Sequence, residues 1–78
     1  MDKIITTLDL LPIGLIGEVT GLVAEDSVKR RFLDLGLIRG TKVQALHKSP
    51  SGDPVAYYIR GTVIALRLNE ASKIRIEI

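Results

Sequence analysis

The sequence predicts a mostly β fold: a small, strongly bent barrel of about five strands, with one α-helix inserted after the first strand. Three observations predict it. Short apolar runs are separated by closely spaced turn formers, a single stretch has helical periodicity, and the final segment alternates cleanly between apolar and charged residues. Such a pattern suits a curled sheet better than separate layers of helix and sheet.

Thr6 to Pro12 reads as an entry segment whose leucines tuck against the core. Gly14 to Val23 reads as the first strand, carried by Val19, Leu22 and Val23. Gly17 and Gly21 interrupt its period of two, so a bulge or sharp bend is expected there. Asp26 to Leu35 is the helix: Val28, Arg31, Phe32 and Leu35 recur at helical spacing, and Gly36 supplies the stop. Asp26 or Ser27 is expected to cap its first turn. So short a helix is not stable alone and must dock, with Phe32 as its anchor.

Thr41 to Lys48 is the next strand, followed by the turn-rich stretch Ser49-Pro50-Ser51-Gly52-Asp53-Pro54. Val55 to Arg60 and Thr62 to Leu68 form a hairpin joined tightly around Gly61. Asn69 to Ser72 makes a short turn or one helical loop. Lys73 to Ile78 is the last strand, with Ile74, Ile76 and Ile78 inward and Arg75 and Glu77 outward.

With 78 residues, positions 1–78 form one domain. Apolar residues make up 46% of them, and so short a chain must commit nearly all of these to its core. That leaves no room for a deep polar cavity, and the expected mode of action is surface contact rather than catalysis. There is no cysteine, which excludes disulfides, thiolate catalysis and zinc-thiolate sites and suits a reducing, cytoplasmic setting. The opening Met1-Asp2-Lys3 lacks the cationic start and long apolar run of an export signal. The most apolar stretch, Leu8 to Leu22, is broken by Asp9, Pro12, Glu18 and three glycines, so a membrane span is not expected. The net charge of +2 is weakly basic, compatible with an acidic partner or an anionic lipid surface.

Three segments carry a family resemblance. Arg31-Phe32-Leu33-Asp34-Leu35-Gly36-Leu37 with Gly40 resembles the helix exit of the FeoA family of ferrous iron transport accessory proteins. Gly52-Asp53-Pro54 is similar to that family's turn, and Ala65-Leu66-Arg67, Glu70-Ala71 and Ile74 to its closing segment. All three stand in the right order, from about Leu8 to Ile78. Arg39 departs from the pattern, standing where the family commonly has proline. The resemblance implies an SH3-like barrel in the cytoplasm, acting with the membrane-embedded ferrous iron transporter FeoB. The same barrel resembles the C-terminal domain of DtxR-type iron-dependent repressors, so a free-standing barrel binding a peptide or nucleic acid is the alternative.

The expected partner-binding face is Lys29, Arg30, Leu33, Leu37, Ile38 and Arg39. At about 100° per residue Leu33 lies near 140° from Val28, off the apolar stripe and beside Lys29. With Leu37 and Ile38 it makes an apolar patch rimmed by cations, unless it packs beneath the N-terminal leucines. The Lys29-Arg30-Arg31 run is either the wet side of a helix or a steering surface for acidic partners or lipid head groups. Nucleic-acid binding is not expected: one Phe, two Tyr and no Trp offer few stacking platforms, and adjacent Tyr57 and Tyr58 face opposite sides.

His47, the sole histidine, shares a face with Val43 and Ala45 and sits on the rim; no metal site and no cofactor are expected. Arg67 alternates with Val63 and Ala65 on an apolar face, which calls for a paired guanidinium with Glu70 or Asp53 as partner. Asp53-Pro54 is turn chemistry: the aspartate closes a local hydrogen bond and the proline opens an edge strand. Ser27, Ser49, Ser51 and Ser72 all fall in caps or turns, and no glycine loop of the phosphate-cradling kind is present.

Overall fold

The computed structural model describes residues 3–78; Met1 and Asp2, where the export-signal reading begins, lie outside them. Six antiparallel strands form one sheet: β1 (Ile5–Thr7), β2 (Ile16–Leu22), β3 (Lys42–Lys48), β4 (Val55–Ile59), β5 (Thr62–Leu66) and β6 (Ile74–Glu77). Helix α1 (Asp26–Asp34) follows β2, and a single helical turn, α2 (Leu68–Ala71), precedes β6. The order across the sheet is β1-β6-β2-β3-β4-β5, so β1 and β5 are its edges. The sheet curls around one apolar core.

The sixth strand corrects the expectation of about five. Ile5–Thr7 pairs with β6 through Ile5↔Glu77, Thr6↔Ile76 and Thr7↔Arg75. Three residues are too few to show a period, so the partner and not the local pattern makes this a strand. The chain then turns through Leu8–Leu10, with the Leu11 N–H bonded to the Leu8 carbonyl at 3.1 Å. That turn sends Leu8 and Leu11 into the core, as expected of the entry leucines, and leaves Leu10 outside.

In β2 the register against β6 shifts between Val19 and Gly21, the expected interruption. Gly17 has another role: a Cβ there would stand 2.7 Å from Ile76 Cδ1, so the core side chain of Ile76 occupies the space a larger residue would need. A second register shift in β3, between Ala45 and His47, takes His47 off the face of Val43 and Ala45. Pro54 does not open an edge strand, because β4 lies between β3 and β5. It stands just before the strand, where no ladder hydrogen bond is demanded of it.

The core brings together Leu8, Val19, Phe32, Leu37, Val43, Tyr57, Ile59, Leu66, Ile74 and Ile76, all but inaccessible to water. Tyr57 is buried and Tyr58 exposed, the opposite facing expected of neighbours on a strand. The one buried hydroxyl among these side chains is satisfied: Tyr57 Oη donates to the Leu8 carbonyl at 3.3 Å. Among the described residues, no helix is long and apolar enough to cross a membrane.

Candidate functional site

The chemistry of this surface gathers where α1 ends and the β4–β5 hairpin turns back. The α1 N-cap is Glu25, not Asp26 or Ser27, and no side chain caps it; Asp26 instead sits in the first turn, where its charge suits the helix dipole. The C-terminus is built more firmly. The Leu37 N–H bonds to the Phe32 carbonyl and the Gly36 N–H to the Leu33 carbonyl, both at 3.0 Å. This is the Schellman arrangement, with Gly36 at φ +94°. The Thr41 hydroxyl then donates to the Gly36 carbonyl at 2.8 Å and fixes the exit.

That arrangement corrects the expected docking face at one residue. A Schellman turn folds the residue after the glycine back onto the last helical turn, so Leu37 packs with Phe32 in the core and is 0% exposed. It cannot belong to a surface patch. Leu33 and Ile38 do lie outside, 47% and 43% exposed, so Leu33 is not packed beneath the entry leucines. Arg30 and Arg39 are exposed and Lys29 half-buried. Of the expected stripe, Phe32 is buried, Val28 and Leu35 are partly buried, and Arg31 is exposed.

Beside Leu33 runs an open groove of about 400 Å³ between the end of α1 and β5. Leu33, Leu35, Ile59 and Ile64 give it apolar walls, and Asp34 and Arg60 stand at its rim. Arg60 and Gly61 form the two-residue hairpin turn, with φ of +49° and +84°. Positive φ at both positions is the type I′ geometry, whose twist matches the flanking strands. A Cβ on Gly36 would stand 2.5 Å from Arg60 Cδ, so the arginine stem lies flat across the glycine. The groove was not legible in the sequence, since β5 meets α1 only through tertiary folding.

The two acidic residues proposed as partners of Arg67 have other occupations. Val63, Ala65 and Arg67 do share a face, but it is the exposed one; Ile64 and Leu66 face inward, so Arg67 has no buried charge to neutralise. The Glu70 carboxylate accepts the Arg67 backbone N–H at 3.0 Å and pairs with Arg31 at 2.5 Å. The backbone hydrogen bond, with Arg31 beside it, holds the Glu70 carboxyl below its ordinary value. Asp53 accepts the Leu68 backbone N–H at 3.0 Å, so its bond is long-range and fastens the turn before β4 to the start of α2. Burial, with the charges of Asp9 and Asp53, pushes the Tyr57 phenol up to about 12.

His47 is exposed at the strand end. Among the described residues, no three His, Cys, Asp or Glu side chains converge as a metal site would require. A second open groove, about 480 Å³, lies over β2 and β6. It holds the Lys3–Glu77 pair (3.6 Å), with Glu18 directly across from both Glu77 and Lys42.

Residues 6–78 match the FeoA domain model. The chain belongs to the FeoA family. The solution structure of the FeoA protein from Chlorobium tepidum is 41% identical, with a TM-score of 0.87 over 94% of this chain and 70% of that one. The FeoA-like protein from Clostridium acetobutylicum is 37% identical, with a TM-score of 0.88 over 100% and 90% of the two chains. A zinc-complexed FeoA from Stenotrophomonas maltophilia, described as a prokaryotic SH3 domain protein and a candidate ferrous iron transport activating factor, is 31% identical. Its TM-score is 0.82 over 91% of this chain and 88% of that one. Among curated proteins none matches the chain. The SH3-like fold is therefore that of the FeoA family. A manganese-dependent transcriptional repressor shares the fold alone, at 17% identity and a TM-score of 0.83 over 42% of its length.

Proposed function

We propose that this FeoA-family chain is a cytoplasmic accessory protein of ferrous iron uptake that docks on the cytosolic part of a FeoB-type transporter and catalyses no reaction itself. The observation that carries this reading is the helix exit: Leu33 and Ile38 both exposed, with Lys29, Arg30 and Arg39 close by in the chain. An apolar centre with a cationic rim suits a partner with an apolar anchor inside an acidic surround. Family membership supplies the iron connection. A domain of this size offers a small face, so binding is modest and readily reversed.

The test is an NMR titration of labelled protein with the transporter's cytosolic domain, ferrous ion and an oligonucleotide in separate runs. Amide shifts mapping to Lys29 through Ile38 with the transporter domain alone support docking. Shifts with the oligonucleotide alone, weakening as salt rises, favour the nucleic-acid alternative. Leu33→Asp adds a check: melting stays unchanged while transporter binding is lost. If binding survives, Leu33 is not the anchor.

A further inference from the structure

We infer that the free edge of β5 accepts an extended segment of another protein as a seventh strand, its middle apolar and its two ends acidic. This goes beyond the docking reading, on which it rests only for the identity of the partner.

Natural sheets blunt their edges with charges, prolines, bulges or covering elements. Thr62–Leu66 carries no charged residue and no proline, and its register against β4 is unbroken from Ile59↔Thr62 to Val55↔Leu66. Among the described residues, no backbone hydrogen bond joins β5 to anything but β4. Because Ile59 and Thr62 close the two-residue turn, antiparallel alternation gives Thr62, Ile64 and Leu66 to β4. The N–H and C=O groups of Val63 and Ala65 then point away from the sheet. An added strand would find both donors and acceptors in place.

The surroundings choose the chemistry of that strand. On the inner side, the groove receives every second side chain of an added segment; Leu33, Leu35 and Ile64 offer it apolar contact, with Asp34, Arg60 and Thr62 around them. Asp34 at the groove rim repels an acidic residue there. At the two ends of β5 stand Arg60 and Arg67, both exposed, and neither forms an ion pair among the described residues. The five residues of β5 lie between them, about 13 Å of extended chain from Thr62 to Leu66 at about 3.3 Å per step, with Arg60 in the turn before it and Arg67 just after it. Acidic residues at the two ends of an extended segment laid along β5 would meet both. A second copy of the chain fits poorly: antiparallel self-pairing centred on Ile64 sets Arg67 of one copy against Gly61 of the other, beside its Arg60.

The probe is the synthetic peptide acetyl-Asp-Thr-Ile-Thr-Val-Thr-Ile-Asp-amide, titrated into labelled protein. Strand addition predicts shifts at the amides of Val63 and Ala65 and at Leu33, with slowed exchange of those two amides. Arg67→Glu should weaken the peptide roughly tenfold and favour a Lys-ended version instead. Ala65→Pro should abolish binding by removing an outward donor, its folding checked by circular dichroism; Arg67→Glu decides the matter should that variant unfold. Equal binding of the Lys-ended peptide to wild type, or no shift on β5 at millimolar peptide, overturns the proposal. So does a concentration-dependent dimer that Ala65→Pro dissolves. If the transporter domain shifts Lys29 through Ile38 but leaves β5 untouched, and the peptide does not bind, strand addition fails and docking stands. If the peptide binds β5 while the transporter domain binds nowhere, docking fails and strand addition stands.

Discussion

The Arg31 guanidinium reaches the Glu70 carboxylate at 2.5 Å, so a residue of α1 holds one of α2 across 39 positions of chain. The same carboxylate accepts the Arg67 N–H that opens α2, and the Arg31 guanidinium also lies 5.8 Å from the Phe32 ring centre. One acid therefore fastens the single turn before β6 to helix α1.

Glu70 makes the domain sensitive to acid. Its carboxyl is held low in the folded chain, mainly by the Arg67 N–H and then by Arg31. The unfolded chain thus takes up this proton first as pH falls, and the stabilisation present above about pH 4.3 is lost below it. Glu70→Gln should flatten the acid limb of a stability-versus-pH curve measured by urea unfolding. The Arg31 side chain is largely exposed, so Arg31→Ala at neutral pH should cost less than about 1 kcal/mol.

Tyr57 sets the alkaline limit. With its phenol pushed up to about 12, the folded chain keeps a proton that the unfolded chain releases near pH 10. Stability from this group is complete below pH 10 and falls as pH rises from there toward 12. Tyrosinate absorbance of a Tyr58→Phe variant isolates the transition; ionisation near pH 10 with the fold intact would contradict it. Tyr57→Phe removes the bond to the Leu8 carbonyl and should cost about 1 kcal/mol.

Gly36 tolerates no side chain for two separable reasons, its φ of +94° and the Arg60 stem lying across it. Gly36→Ala should destabilise by about 1–3 kcal/mol. Adding Arg60→Ala removes the collision but not the backbone strain, so the double variant should recover part of the loss. Strict additivity in thermal melts would show that the stem does not press on the glycine.

Neighbouring residues of α1 should separate stability from surface. Phe32→Ala empties the core and should cost about 3–5 kcal/mol. Leu33→Ala, one step along the helix and half exposed, should stay within about 1 kcal/mol of wild type. Chemical denaturation of both variants checks the contrast.

What could be read from the chain followed from periodicity. The helix, five of the six strands, the inward Ile74 and Ile76, the opposite facing of Tyr57 and Tyr58 and the bulge beyond Val19 all rest on patterns within a few residues. What could not be read depends on partners far away. Ile5–Thr7 is a strand because β6 lies beside it, and Arg67 is exposed because its face of β5 looks outward. Leu37 shows the same limit most sharply: as a loop leucine just past the helix it looked free, yet the glycine before it turns it under Phe32. At the site, Leu33 came from the helical wheel and Ile38 from the loop after it, whereas the groove with Arg60 and Ile64 needed the fold.

The pairing of β1 with β6 has a last consequence. The Ile4 N–H bonds to the Ile78 carbonyl at 3.3 Å, and the Ile78 N–H to the Ile4 carbonyl at 2.8 Å. The β1 strand therefore has no partner until residues 74–77 have been made, so this edge of the sheet forms late in synthesis. It also means that a short linker from Ile78 to Ile4, with the chain opened in the Ser51-Gly52 turn, should still give a folded domain.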